Sequence, residues 1–343
     1  MFRFLFAKSL RMLAALVGVS ALMFLLVRAI PGSPWSNYST NQQMNFNLGS
    51  DAILLRELDR RFGLDLPLGR QFTRDLIGDI DREGQFFCGA VCGNLGPSTQ
   101  QRGRTVQNIL FAAPEGMSQW DSRFGYSLRL VLLGTLIAVG VGIPVGLMSA
   151  TAPNSAAGRA VSFSLAVLIS IPNFILGLLA IIVLASWLKV MKVLPQWDDP
   201  RYWLVPALVL AVMPLASLAR VTRASVLDIV HRDYIRTARA KGLPQRRVLF
   251  AHVLRNALAP ILTFVGPTVM EMFVGLLIVE NLYSFPGFGQ EYWKAVLALD
   301  YPMVLGLTLI YAAGLMLVTL AVESVCAALD PRLRSLAVKG EEG

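Results

Sequence analysis

The sequence predicts an all-α polytopic membrane protein with six membrane-spanning helices. Composition is the first ground: 55% of the 343 residues are hydrophobic and only 15% are charged, against about 25% in soluble domains, and mean hydropathy is +0.57. Length is the second. Six apolar stretches reach the roughly 20 residues that a helix needs to cross a bilayer core of about 30 Å. The third is where the net charge of +9 resides. Lys and Arg crowd beside the apolar stretches, as in the loops of a membrane protein. They are not interleaved with aromatics on a soluble module, which excludes a nucleic-acid partner.

Arg3, Lys8 and Arg11 precede the run Met12–Ile30, superficially like a signal peptide. That run is long enough to span and no A-x-A pattern follows it, so it reads as a retained first span at about 9–30. The region 31–124 is too polar for lipid. In it Asp51–Phe62 suits a short amphipathic helix ended by Gly63, and Thr105–Ala112 suits another. The remaining spans are expected at about 127–150, 161–188, 203–222, 258–281 and 303–328. Their internal prolines (Pro144, Pro172, Pro206, Pro214, Pro267) are tolerable because neighbouring helices satisfy the freed carbonyls.

Nine Lys and Arg residues between Arg220 and Arg255 face only Asp228 and Asp233, so this loop is read as cytoplasmic. Counting spans then puts both termini inside and places 31–124, 189–201 and 282–302 outside. The outer loops mix signs, with Asp198, Asp199, Glu291 and Asp300 beside Lys189, Lys192 and Lys294. The organisation is a tail and first span over 1–30, an external region over 31–124, a five-helix core over 125–329 and a cytoplasmic tail over 330–343. The core contains the cytoplasmic segment 224–256.

That segment reads helix, turn, helix. Tyr234–Lys241 has good helix propensity, Gly242 suits the left-handed position after a helix end, and Pro244 opens the next helix. Spacing of i, i+3, i+4 puts Tyr234, Thr237, Ala238 and Lys241 on one face. A positive loop anchored at lipid headgroups would explain the charge but not the small residues beside a glycine stop. Close approach of a soluble partner explains both.

At these residues the chain resembles the binding-protein-dependent ABC importer permeases, and within them the dipeptide/oligopeptide permease family. The shared cytoplasmic signature is Glu-Ala-Ala-x-x-x-Gly; Ala238 and Gly242 fall on its second Ala and its Gly, while Arg236 and Thr237 replace the Glu and first Ala. The branch pattern continues in His252–Pro260, in Pro31-Gly32-Ser33-Pro34, in Gly63-Leu64-Asp65 with Pro67 and Gln71, in Glu280 with Ser284-Phe285-Pro286-Gly287-Phe288-Gly289, and in Asp330-Pro331-Arg332. The first-span and Gly-Leu-Asp motifs resemble the first of the two permeases in such systems.

The resemblance implies the type I ABC importer permease fold. It implies a bacterial cytoplasmic (inner) membrane location and import of peptides, with nickel chelates, glutathione, opines or oligosaccharides as alternatives within the branch. Implied partners are a second homologous permease in a heterodimer, two cytoplasmic ATPase subunits or domains, and an extracytoplasmic substrate-binding protein. The ATPase-coupling residues would be Tyr234, Arg236, Thr237, Ala238, Lys241 and Gly242. No phosphate-binding G-x-x-x-x-G-K-[S/T] loop occurs here, so ATP and Mg would be bound by the partners, with no cofactor in this chain.

Ser284, Pro286, Gly287 and Gly289 form either a plain turn or an external re-entrant loop at the pathway mouth. Glu271 lies mid-span; it faces the pathway or pairs with an arginine or serine inside the bundle. Cys88 and Cys92 depart from the branch pattern. An oxidising external compartment favours a disulfide between them, although four residues apart on a regular helix they would be poorly placed to bridge. No metal site is expected, since His231 and His252 are the only histidines and both are cytoplasmic. Two other classes compete. A secondary transporter using Glu271 as proton carrier would not need the helix–Gly–Pro loop, and no inverted repeat is visible. An intramembrane enzyme lacks an H-E-x-x-H or G-x-S-x-G constellation.

Overall fold

The computed structural model describes residues 2–30, 56–57, 59–60, 62–80, 86–101, 103–192, 197 and 199–329. The motifs at Pro31–Pro34 and Asp330–Arg332, and most of Asp51–Phe62, lie outside them. Two compact units are present: Met1–Gly125 with Glu291–Ala313, and Tyr126–Gln290 with Gly314–Gly343.

In the first unit α1 (Phe2–Ala29) is apolar between Arg11 and Arg28 and carries the first candidate span, Lys8–Ala29. The helical turn before Gly63 ends as expected. Gly63 sits at φ +69°, and Leu64 N donates to Asp59 O across the turn. A short helix α2 (Leu68–Leu76) follows, then a hairpin of two three-residue strands, β1 (Gly78–Ile80) and β2 (Phe86–Cys88), antiparallel with Gly78 opposite Cys88. The sequence reading had no strands here; three residues are too few to show alternation. Helix α3 (Val106–Phe111) forms where Thr105 was expected to start it, and the Thr105 hydroxyl caps it by accepting from Asn108 N at 3.4 Å.

The loop acids Glu291 and Asp300, counted in the sequence among the mixed charges of the outer loops, are buried. Asp300 accepts from Thr99 N at 3.1 Å and Gln100 N at 3.4 Å, and from the Ser98 hydroxyl. Glu291 accepts from Gln101 Nε2 at 2.8 Å and pairs with Arg123 at 2.7 Å. These two carboxyls fasten the polar segment around residue 100 to the ends of α10 (Phe288–Leu297) and α11 (Tyr301–Leu329).

In the second unit α4 (Arg123–Thr151), α5 (Ala156–Ser170), α6 (Asn173–Trp187), α7 (Leu204–Val230, led in by a 3₁₀ turn Pro200–Trp203), α8 (Asp233–Ala240) and α9 (Gln245–Leu282) run in order. Helices α7 and α9 make the most extensive pairing, with Leu210, Ala211, Met272, Leu276 and Val279 buried between elements. Among the described residues five helices are long and apolar enough to cross a membrane. The expected third span is the exception. Over 161–188 the chain forms a bent pair, α5 and α6 meeting at 99°, which makes a sixth span when the two are taken as one. Pro172 causes the break: it cannot donate a backbone hydrogen bond, and it biases Ile171 to an extended ψ of 118°.

Candidate functional site

Helix α9 connects the two segments singled out by the sequence. It runs 38 residues without interruption, about 55 Å at the usual rise. The basic turn lies at one end, Glu271 lies on its length, and Ser284–Gly289 follows its other end.

At the basic end α8 is closed by a Schellman arrangement. Leu243 N donates to Ala238 O at 3.4 Å and Gly242 N to Arg239 O at 2.9 Å, with Gly242 at φ +75°. Pro244 then sits extended (φ −62°, ψ 142°), and α9 starts at Gln245. Inside α8 the Thr237 hydroxyl donates to Asp233 O at 3.1 Å. Arg236 and Asp233 lie 3.8 Å apart, both strongly exposed, so the pair adds little to stability.

The exposed surface of this helix carries Tyr234 (43% accessible), Arg236, Thr237, Lys241 and Gly242. Ala238 does not belong with them. It is 8% exposed and, with fully buried Ile235, packs into a cluster with Leu147, Leu218, Val226, Ile229, Val248, Val253 and Ala257. The i, i+3, i+4 grouping of Ala238 with Tyr234 is thereby corrected. The small side chain fits the helix to its own core and leaves the outward face to the longer residues. Ala238→Phe is therefore expected to destabilise the protein by about 1–3 kcal/mol through overpacking. Tyr234→Ala should leave the melting temperature in detergent unchanged, and thermal unfolding of the two variants checks the assignment.

After Gln245 the stretch Val248–Leu254 winds as a π-helix before α-geometry resumes at Arg255. Nothing in the sequence marks this wider winding, which recurs at functional positions in helices. Nearby, Arg223, counted in the sequence only as loop charge, reaches Ser149 O and Gly158 O at 3.3 Å each and the Ser162 hydroxyl. It ties α4 and α5 to α7.

At the other end, Glu280 has no exposed surface. Its Oε1 accepts from Ser127 Oγ at 2.6 Å and its Oε2 from Gly289 N at 2.5 Å, while Ser127 Oγ accepts from Phe288 N at 2.8 Å. The chain leaves α9 with Phe285 N donating to Glu280 O at 2.7 Å and Ser284 in the left-handed region at φ +50°. Gly287 lies against the Glu280 carboxyl, and a Cβ there would collide with it; at Gly289 a Cβ would lie 2.7 Å from Leu277 Cα. The two glycines are thus required by close approach. Phe285 plugs the loop into Tyr126, Trp197 and Trp203, with ring centroids 4.6–5.6 Å away, and Trp197 Nε1 donates to Ser284 O at 3.1 Å. Ser284 is exposed, Pro286 half-buried, and Gly287 and Gly289 buried. The sequence had placed Glu280 merely near a span end; a Ser 153 positions away completes its role.

Glu271 lies on the exposed face of α9 with Asn256, Pro260, Thr263, Pro267, Val274 and Ile278. Among the described residues it makes no hydrogen bond or ion pair. Cys88 and Cys92 are joined by a disulfide, with Cα atoms 5.8 Å apart. The objection from helical spacing does not apply, because Cys88 closes a strand and Cys92 a 3₁₀ turn.

Residues 142–335 match the family described as binding-protein-dependent transport system inner membrane component. The chain belongs to this family. It is 31% identical to the dipeptide transport system permease protein DppB of Bacillus subtilis, over 97% of this chain and 98% of the relative. It is 30% identical to the oligopeptide transport system permease protein AppB of the same organism, over 96% and 98%. It is 28% identical to the oligopeptide transport system permease protein OppB of Salmonella typhimurium, over 97% and 100%. The α8–Gly242–α9 turn, Glu271, Glu280 and Gly289 fall within the matched residues, whereas Ser127, which completes the clamp, precedes them. The all-α, multi-span class expected from composition is the class of the family.

Proposed function

We propose that this chain is the membrane subunit of an ATP-driven, binding-protein-dependent importer of peptides in a bacterial cytoplasmic membrane, with both termini cytoplasmic. It forms half of the pathway beside a second, related permease. Two cytoplasmic ATPases bind ATP and Mg, and an external binding protein delivers cargo. The observation that carries this reading is the single helix α9, joining an exposed basic turn to a clamped loop on the far side. Closure of an ATPase groove around Tyr234, Arg236, Thr237, Lys241 and Gly242 pushes on α9 through Pro244. A packed helix moves as a body, so the displacement reaches the loop at Ser284–Gly289. Peptides are the favoured cargo because the relatives are named for dipeptide and oligopeptide transport.

The exposed row through Glu271 supports a place for it on the pathway. Asn256, Thr263, two prolines and a carboxyl on one face suit a water-filled wall better than lipid, where a charge is costly. The test is uptake of a labelled dipeptide into vesicles holding the full complex. Uptake that requires ATP and the ATPases and withstands an uncoupler is the expected result. Uptake that survives loss of the ATPases but collapses with the uncoupler would overturn the reading in favour of a secondary transporter.

A further inference from the structure

The first unit encloses a cavity of about 120 Å³ that the transport reading does not use. Its walls come from two candidate spans and from the polar segment above them: Ser20 and Phe24 of α1, Leu309 of α11, and Phe72, Arg74 and Asp75 of α2. Depth is the first clue to its occupant. Ser20 lies nine residues inside the Ala29 end of its span and Leu309 eight inside the Tyr301 end, so both lie about 12–14 Å below the span ends at the usual helical rise. One leaflet of the hydrocarbon core is about 15 Å thick. The cavity thus runs from the polar rim to within a few ångströms of the bilayer centre, the reach of a lipid chain.

Charge is the second clue. The rim presents a guanidinium and a carboxyl from adjacent residues, and the fold holds both in place. Gly63, at φ +69°, has no Cβ to strike the Arg74 guanidinium lying against it. The Phe24 and Phe72 rings pack at 5.5 Å, fixing α2 to α1 at the rim. Asp75 lines the cavity and keeps exposed surface, with Arg28 and Arg74 close enough to act on its charge. Burial pushes its carboxyl up to about 6, against the opposing pull of Arg28 and Arg74. A cation arriving beside it would favour the ionised form.

We propose that this cavity holds one acyl chain of a phosphatidylethanolamine, its phosphate on Arg74 and its ammonium donating to Asp75. A primary ammonium can donate a hydrogen bond to the carboxyl, which a choline cannot, and the neighbouring phosphate matches the guanidinium. The site is independent of cargo and of ATPase docking, so it stands or falls separately from the transport reading.

The test is native mass spectrometry and lipid extraction on the full-length chain, purified from membranes in mild detergent with the partners it keeps. One phosphatidylethanolamine per chain is expected to survive a delipidating wash. Ser20→Phe, which fills the deep end, should cut the retained lipid by about fivefold, equivalent to about 1 kcal/mol. Arg74→Gln should lower the preference for phosphatidylethanolamine over phosphatidylcholine and phosphatidylglycerol. Leu309→Phe fills the cavity from the opposite wall and replaces Ser20→Phe should that variant fail to fold. No retained lipid, or equal retention in the wild type and the filled and Arg74 variants, overturns the proposal. So does a photo-crosslink from position 309 to a protein segment instead of lipid.

Discussion

Gly242→Pro is expected to abolish ATP-driven uptake while leaving membrane insertion and expression intact. Two effects act together. Proline holds φ near −65°, whereas Gly242 stands at +75°, and it removes the N–H that donates to Arg239 O. The α8 cap then cannot form, at a cost of about 3 kcal/mol, and the direction in which α8 enters α9 is lost. The rest of the second unit does not lean on this residue, because a Cβ at Gly242 would meet nothing within 4 Å. Gly242→Ala should therefore suffer only the left-handed strain of about 1 kcal/mol and retain part of the uptake. Gly242→Asn, which tolerates that conformation, should come closest to wild type. Uptake of labelled peptide per inserted protein measures all three. Wild-type uptake by the proline variant would refute the role assigned to the turn.

Glu280→Ala is expected to lower the melting temperature of the detergent-solubilised protein by roughly 10 °C, from a loss of about 3–5 kcal/mol. Removing the carboxyl strands the Ser127 hydroxyl and the Gly289 N–H in a buried place, each costing about 1–3 kcal/mol. Glu280→Gln keeps an acceptor and should cost less. Gly287→Ala should be damaging alone, because its methyl strikes the carboxyl, and less so on top of Glu280→Ala, where that carboxyl is gone. Such non-additivity is the signature of direct contact. Additive losses would show that the glycine and the carboxyl act independently.

Much of the fold was legible in the chain because hydropathy and backbone demands are local. Apolar runs of bilayer length mark spans whatever they pack against. Gly63 and Gly242 mark helix ends because only a left-handed residue closes the turn, and Thr105 marks a start because its hydroxyl reaches three residues ahead. Local signals also misled. Pro172 reads as tolerable inside a span, yet the chain bends by 99° there, since tolerance depends on which neighbours take up the freed carbonyls. Glu291 and Asp300 read as loop charges. Their burial depends on Ser98, Thr99, Gln101 and Arg123, most of them about 200 positions away.

The sequence alone determined the membrane class, the places of five spans, the helix–Gly–Pro turn and its basic surroundings. Each is set by residues within a few positions of one another, through hydropathy, propensity or a required φ. Tertiary structure decided which side of α8 is free. It turned Ala238 inward and left Tyr234, Arg236 and Lys241 outside, because an amphipathic face is defined only once the core it meets is in place. It also decided that Glu280 is a clamp and that Glu271 stands on the exposed face of α9, without a partner among the described residues. Those roles rest on groups that folding alone brings within hydrogen-bond distance, or keeps out of it.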